Sequence, residues 1–162
     1  MRRKSFDDQA CGIARALEAI GDGWGFLILR EAMFGVDAFD GFVERLGIPR
    51  NTLAAKLEGL VAHGIMVKEP DPEDGRRSRY ALTQAGEELW VVLLALQQWG
   101  NKWRFGKKGA PSFMADRATR RAVSTLVVQD KDGTPLDLDE VTMIPGPSAP
   151  AALKRIFDAL PE

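Results

Sequence analysis

The sequence predicts an α+β fold that is mainly helical, and three observations carry that prediction. Apolar residues recur at helical spacing in four successive stretches between Ala10 and His63. The repeat then shortens from about 3.6 to about 2 residues across Ile65–Thr83, around the turn cluster Pro70–Gly75. Helical spacing returns over a long stretch that ends near Trp103.

In the first stretch Ile13, Ala16, Leu17 and Ile20 share one helical face, and Gly21–Gly23 (Gly-Asp-Gly) breaks it. The second, Trp24–Phe34, is apolar on most sides, which marks it as central, and Gly35 ends it. A short third helix over Ala38–Leu46 buries Phe39, Phe42, Val43 and Leu46 before Gly47 allows a tight turn. The fourth covers about residues 49–63, with Leu53, Leu57, Leu60 and Val61 inward and Gly64 as its stop. Pro49 is tolerated in its first turn, where an N–H would have no partner.

Ile65 and Val67 then alternate inward on one strand, while Tyr80 and Leu82 face inward and Arg77 and Arg79 outward on the other. This is a β-hairpin, the wing, over about 65–83. Thr83 is a suitable N-cap for a long helix over about 84–103. That helix carries two stripes. Leu89, Val92, Leu96, Trp99 and Trp103 form one, and Trp90, Leu93, Leu94 and Gln97 lie beside it. One stripe suffices to dock a helix on its own core, so two mean that a second surface covers it. Residues 104–112 read as a basic, glycine-containing linker, Ser124–Ile144 as a second hairpin and Ser148–Leu160 as a closing amphipathic helix. The expected division is thus 1–104, followed by a small hairpin-helix appendage over 105–162.

Composition narrows the function. With 162 residues, 45% hydrophobic and 28% charged, the chain can bury a core and is too apolar for a disordered protein. The single cysteine excludes an intrachain disulfide and suits a cytoplasmic setting. No apolar run approaches the roughly 18 residues of a membrane span, and the basic start is not followed by a signal-like apolar segment, so neither a membrane nor a secretory route is expected. A formal net charge of −1 argues against indiscriminate coating of nucleic acid, although a local basic face remains compatible with it.

Three helices, a hairpin and a long helix, in that order, make a winged helix-turn-helix. A helix about 10–12 Å across fits the major groove of B-DNA, about 12 Å wide. The outer side of the fourth helix suits that use. Small residues let its backbone approach closely, Asn51 matches an adenine edge, and the methyl of Thr52 or Ala55 matches a thymine methyl. Arg50 and Lys56 are placed for phosphates. The cluster Arg76, Arg77 and Arg79, read alone, is either a solvated hairpin tip or a DNA-contacting wing; beside a helix-turn-helix the wing is the stronger reading.

Four blocks in joint order, "CGIARALEAIGDGWGFLILREAMFG", "RNTLAAKLEGLVAHGIM", "RYALTQAGEEL" and "LLALQQWGNKW", resemble the HxlR-type family of winged helix-turn-helix transcriptional regulators, related to the MarR type. The resemblance covers Ala10 to Trp103. It implies a homodimer that reads a pseudo-palindromic stretch of double-stranded DNA, with the first and long helices of each subunit packed together. The candidate interface residues are Ile13, Leu17, Leu89, Val92, Leu93, Leu96, Trp99 and Trp103. The chain departs from the family pattern at Pro49, where Ser or Thr is usual, and at Gly23, where Arg or Lys is common.

Sensing residues are fewer. Cys11 opens the first helix, and the resemblance implies a role there in sensing oxidants or electrophiles; a small, part-buried interface residue is the alternative. Trp90, with Trp24, Trp99 and Trp103, forms either plain core or an effector pocket for a small molecule. One histidine, His63, and one cysteine cannot furnish a zinc site without carboxylates, and no cofactor is expected. "DKDG" (Asp130–Gly133) matches a calcium loop less well than a hairpin turn. Asp137, Asp139 and Glu140 have no accompanying nucleophile, so no enzyme is expected. The rival functions are a winged-helix protein-interaction module without sequence-specific DNA binding, and a small-molecule binder built around the appendage.

Overall fold

The computed structural model of the chain describes residues 5, 6, 8–157 and 159. Helices α1 (Gly12–Ile20), α2 (Gly23–Met33), α3 (Phe39–Leu46) and α4 (Arg50–Ala62) precede an antiparallel pair, β1 (Met66–Pro70) and β2 (Ser78–Leu82). Helices α5 (Gln84–Glu88) and α6 (Trp90–Arg104) follow, and a short α7 (Ala151–Phe157) lies near the C-terminus. The mainly helical fold with a two-stranded wing is the winged helix-turn-helix expected from the sequence.

The core gathers around α2, whose Ile28 and Leu29 are fully buried with Phe42, Leu53 and Leu57. Asp22 starts α2 by accepting the Trp24 N–H at 3.0 Å. A side chain at Gly25 would collide with the Ile20 carbonyl oxygen, so α1 and α2 meet at a distance only glycine permits. Gly47 closes α3 in the left-handed region at φ 61°. The strands pair from Met66–Leu82 to Pro70–Ser78, and the Tyr80 N–H donates to the Asp37 carbonyl at 2.8 Å. With an isolated bridge between Ala38 and Arg79, the start of α3 is stitched to the wing.

Three local expectations are corrected. Ile65 is buried as expected, but Met66 is buried beside it and residues 67–70 are all exposed, because Ile65 still belongs to the turn closing α4, where its N–H donates to the Leu60 carbonyl. The long helix is broken at Leu89. Thr83 caps α5 by accepting the Gly86 N–H, and Gly86 packs directly against the Ile65 carbonyl oxygen, anchoring that first turn to the base of the wing. The Leu89 N–H then bonds Gly86 in a tighter turn, and α6 sets off again from Trp90. Finally, Leu93 is buried in the protomer's own core and Leu89 packs against that core, so neither belongs to an open interface stripe.

The C-terminal segment has no strand among the described residues. The hairpin expected over 124–144 is reduced to a tip, with a bridge between Gln129 and Pro135 and the Leu136 N–H bonded to Val128. Its ends do not pair because residues 124–126 bind a side chain instead. Gln98 donates to the Ser124 carbonyl at 2.9 Å and accepts the Leu126 N–H at 2.8 Å. Gln97 accepts the Met114 N–H, and Asn101 donates to the Ser112 carbonyl, each at 2.9 Å. The segment is thereby laced along one side of α6 by three amides. The closing helix expected to reach Leu160 runs to Phe157; Asp158 and Leu160 lie outside the described residues.

Candidate nucleic-acid interface

The exposed line of α4 is Asn51, Ala55, Glu58 and Ala62, one residue per turn, with Thr52 and Lys56 half-buried on its flank. Pro49 contributes no side-chain cap. The N-terminus of α4 is held from outside: Arg50 Nη1 lies 2.6 Å from Asp40 Oδ1, and the guanidinium sits 4.8 Å above the Phe39 ring. Both partners belong to the first turn of α3, so one side chain fixes how the two helices of the motif meet.

Lys56 reaches sideways rather than outward. Its Nζ is 2.8 Å from Asp22 Oδ2, and the side chain is only 27% exposed. Burial would raise the Asp22 carboxyl, but the Lys56 bond and charge and the N–H groups of Trp24 and Gly25 hold it below its ordinary value.

The wing arginines divide. Arg76 and Arg77 stand at the tip, with side chains 94% and 75% exposed and only loose pairing to Asp74 at 3.4 and 3.5 Å. Arg79 sits lower and is 37% exposed, clamped between Asp37 and Asp71 at 3.1 Å each. The Asp37 contact is a hydrogen bond, whereas the Asp71 contact through Nε is an ion pair outside hydrogen-bond geometry. Asp71 also accepts the Glu73 N–H at 2.8 Å, and that bond and Arg79 hold its carboxyl low. Every candidate cation therefore has an aspartate partner, and Arg76 and Arg77 hold theirs at the longest distances.

Ile13 and Leu17 are exposed on α1, and Val92, Leu96, Trp99 and Trp103 form an open apolar stripe on α6, the two tryptophans about 59% and 62% exposed. The stripe lies roughly opposite Gln97, Gln98 and Asn101 on α6. Cys11 is half-buried at the N-cap of α1, in a recess shared with Arg15, Pro150 and Leu153. Trp90 borders a separate cavity with Phe34 and Phe113. Among the described residues no cluster of three or more metal-ligating side chains occurs, and no helix is long and apolar enough to cross a membrane.

Sequence reasoning missed the aspartates. It also missed Glu31, buried in the last turn of α2 and bound by both Arg30 and Arg45. A charged pair inside an otherwise apolar helix was the available signal.

The HxlR-like helix-turn-helix family profile matches residues 19–108. An uncharacterised HTH-type transcriptional regulator of Mycobacterium tuberculosis is 36% identical over 141 residues, covering 87% of this chain and 89% of the relative. The solved structure of the candidate transcription factor PA1607 superposes with a TM-score of 0.82 at 37% identity, covering 86% of this chain and 98% of that one. That span necessarily runs into the C-terminal segment, beyond the family profile. A second candidate transcription factor, PA1374 from Pseudomonas aeruginosa, gives a TM-score of 0.66 at 33% identity over 90% of this chain and 99% of its own. The oxidised redox regulator HypR matches at 26% identity and a TM-score of 0.52, over 58% of this chain and 98% of that one.

Proposed function

The chain belongs to the HxlR-like helix-turn-helix family of transcriptional regulators, and from that premise we propose that it acts in the cytoplasm as a homodimer binding a pseudo-palindromic operator. The observation that carries the reading is the exposed Asn51–Ala55 line of α4 beside the two loosely paired arginines of the wing tip. Asn51 and Ala55 read base edges, with the Thr52 methyl at their flank; Arg76 and Arg77 neutralise phosphates. Arg50, Lys56 and Arg79 shape the reading head, contacting phosphate only at its margins.

The open apolar face supports pairing of two copies. A contiguous stripe of large apolar side chains on one helix is costly to leave in water. Ile13 and Leu17 of α1 are exposed as well, and in the paired arrangement they are covered together with Val92, Leu96, Trp99 and Trp103 of α6. A symmetric pair joined there presents two copies of α4, and operators for such dimers place half-sites about 34–36 Å apart. The dimer responds to a small-molecule or redox signal. The similarity to HypR, described as a redox regulator, supports Cys11 as a redox-sensitive position, acting between subunits or through an adduct.

A gel shift on the DNA upstream of the protein's own gene tests the reading. Retardation that survives excess random DNA is the expected result. No shift even at low salt sinks it and favours a protein-interaction use of the same fold.

A further inference from the structure

The cavity beside Trp90 combines aromatic walls with three arginines. Its volume is about 770 Å³, within the range of about 300–1,000 Å³ that organic ligands occupy. Phe34, Trp90, Phe113, Met114 and Val123 supply apolar walls. Arg30, Arg45 and Arg120 supply three guanidiniums, and Glu31 is the one carboxylate.

Glu31 is already committed. Arg30 donates to its Oε1 through Nη2 at 2.6 Å and Nε at 2.9 Å, and Arg45 Nε donates to its Oε2. Burial would push this carboxyl up, yet the two arginines hold it below its ordinary value, so it stays ionised. One buried negative charge thus anchors two positive ones whose side chains remain 41% and 53% exposed. Among the described residues, the terminal nitrogens of Arg45 have no other partner, and Arg120 has no ion-pair partner. A guanidinium carries five donors and favours planar, two-oxygen acceptors.

We propose that this cavity is the effector site and that its ligand is an apolar carboxylate: a hydrophobic body against Trp90 and Phe113, and a carboxylate between Arg45 and Arg120. The proposal rests on the effector-responsive reading above. It also specifies a route to the DNA-binding head. Arg45 lies in the last turn of α3, two residues before Gly47, whereas Arg120 and Phe113 belong to the C-terminal segment that Gln97 and Asn101 hold on α6. A ligand bridging them ties the helix-turn-helix to the segment behind it.

Calorimetric titration of the full chain with 1-naphthoate and decanoate, and with the neutral 1-naphthamide and decanamide, tests this without DNA. The expected result is one saturable site per chain for at least one carboxylate, with its amide weaker by about tenfold or more. Arg120→Gln, at an exposed position outside the core, weakens the carboxylate by about tenfold and leaves the amide unchanged. Phe113→Ala weakens both. If neither carboxylate saturates, if acid and amide bind alike, or if Arg120→Gln leaves the acid unaffected, the proposal fails. A parallel gel shift without ligand reads the regulator assignment separately: intact DNA binding with an inert cavity removes only the site, and ligand binding without DNA binding removes only the regulator.

Discussion

Lys56 of α4 and Asp22 at the N-cap of α2 form an ion pair at 2.8 Å, so α4 is tied to the start of the central helix. Asp22 has two tasks, because its other oxygen caps α2. Asp22→Asn keeps a capping oxygen and removes the charge, whereas Asp22→Ala removes both. Urea unfolding should therefore place the alanine variant about 1 kcal/mol below the asparagine variant. The pH sign follows from the depressed Asp22 carboxyl: its contribution is present above its ordinary value near 3.8 and is lost as pH falls through the lower folded value.

Salt titrations of DNA binding should separate the wing arginines. Arg77→Ala should flatten the slope of log affinity against log salt by about one unit and weaken all sequences alike. Arg79→Ala should change that slope less, because Asp37 and Asp71 already hold the side chain. Asp74→Asn frees Arg76 and Arg77 and should raise affinity for any duplex. Equal slopes for all three variants and wild type would remove the wing from the interface.

Asn51→Ala acts on sequence rather than on charge. Binding to a library of operator variants should lose discrimination at one base pair per half-site, worth about 1–3 kcal/mol, while random DNA is bound as before. A uniform loss across the library would show that Asn51 contacts only the backbone.

Leu96→Asp and Trp99→Asp place a carboxylate on the open face of α6 without touching the core. Sedimentation should shift from two subunits to one at micromolar concentration, with the helical spectrum retained. A wild-type chain that sediments as a single subunit would end the paired arrangement.

The Glu31 cluster carries a stability prediction. Glu31→Gln removes a buried charge acceptor from two arginines and should cost about 1–3 kcal/mol in denaturant unfolding at neutral pH. Because the Glu31 carboxyl is depressed, wild type keeps this advantage above its ordinary value near 4.5. The gap should close as pH falls through the folded value.

The helices were legible wherever one face alone meets the core. Leu53, Leu57 and Leu60 announce their helix by spacing, and the Asp74-Gly75 turn announces the wing. The register of β1 was not, because Ile65 serves a helix end and a strand start at once. On α6 the 3-4 repeat could not tell which stripe faces home: Leu93 turned to its own core, while Val92 and Leu96 stayed outside. The aspartate partners were invisible for a different reason. Asp22, Asp37 and Asp40 meet their cations across distant stretches of chain, and no local pattern encodes such a pairing.

Three amides on the back of α6 fasten the C-terminal segment, while the front of the same helix is the apolar stripe. A polar seam of this kind unzips bond by bond, each replaceable by water, whereas a greasy seam parts all at once. One side of the helix is therefore fastened by separable polar contacts, and residues 112–126 are the part of the chain that those contacts hold. Amide exchange in that segment should register their opening before the core of the motif gives way.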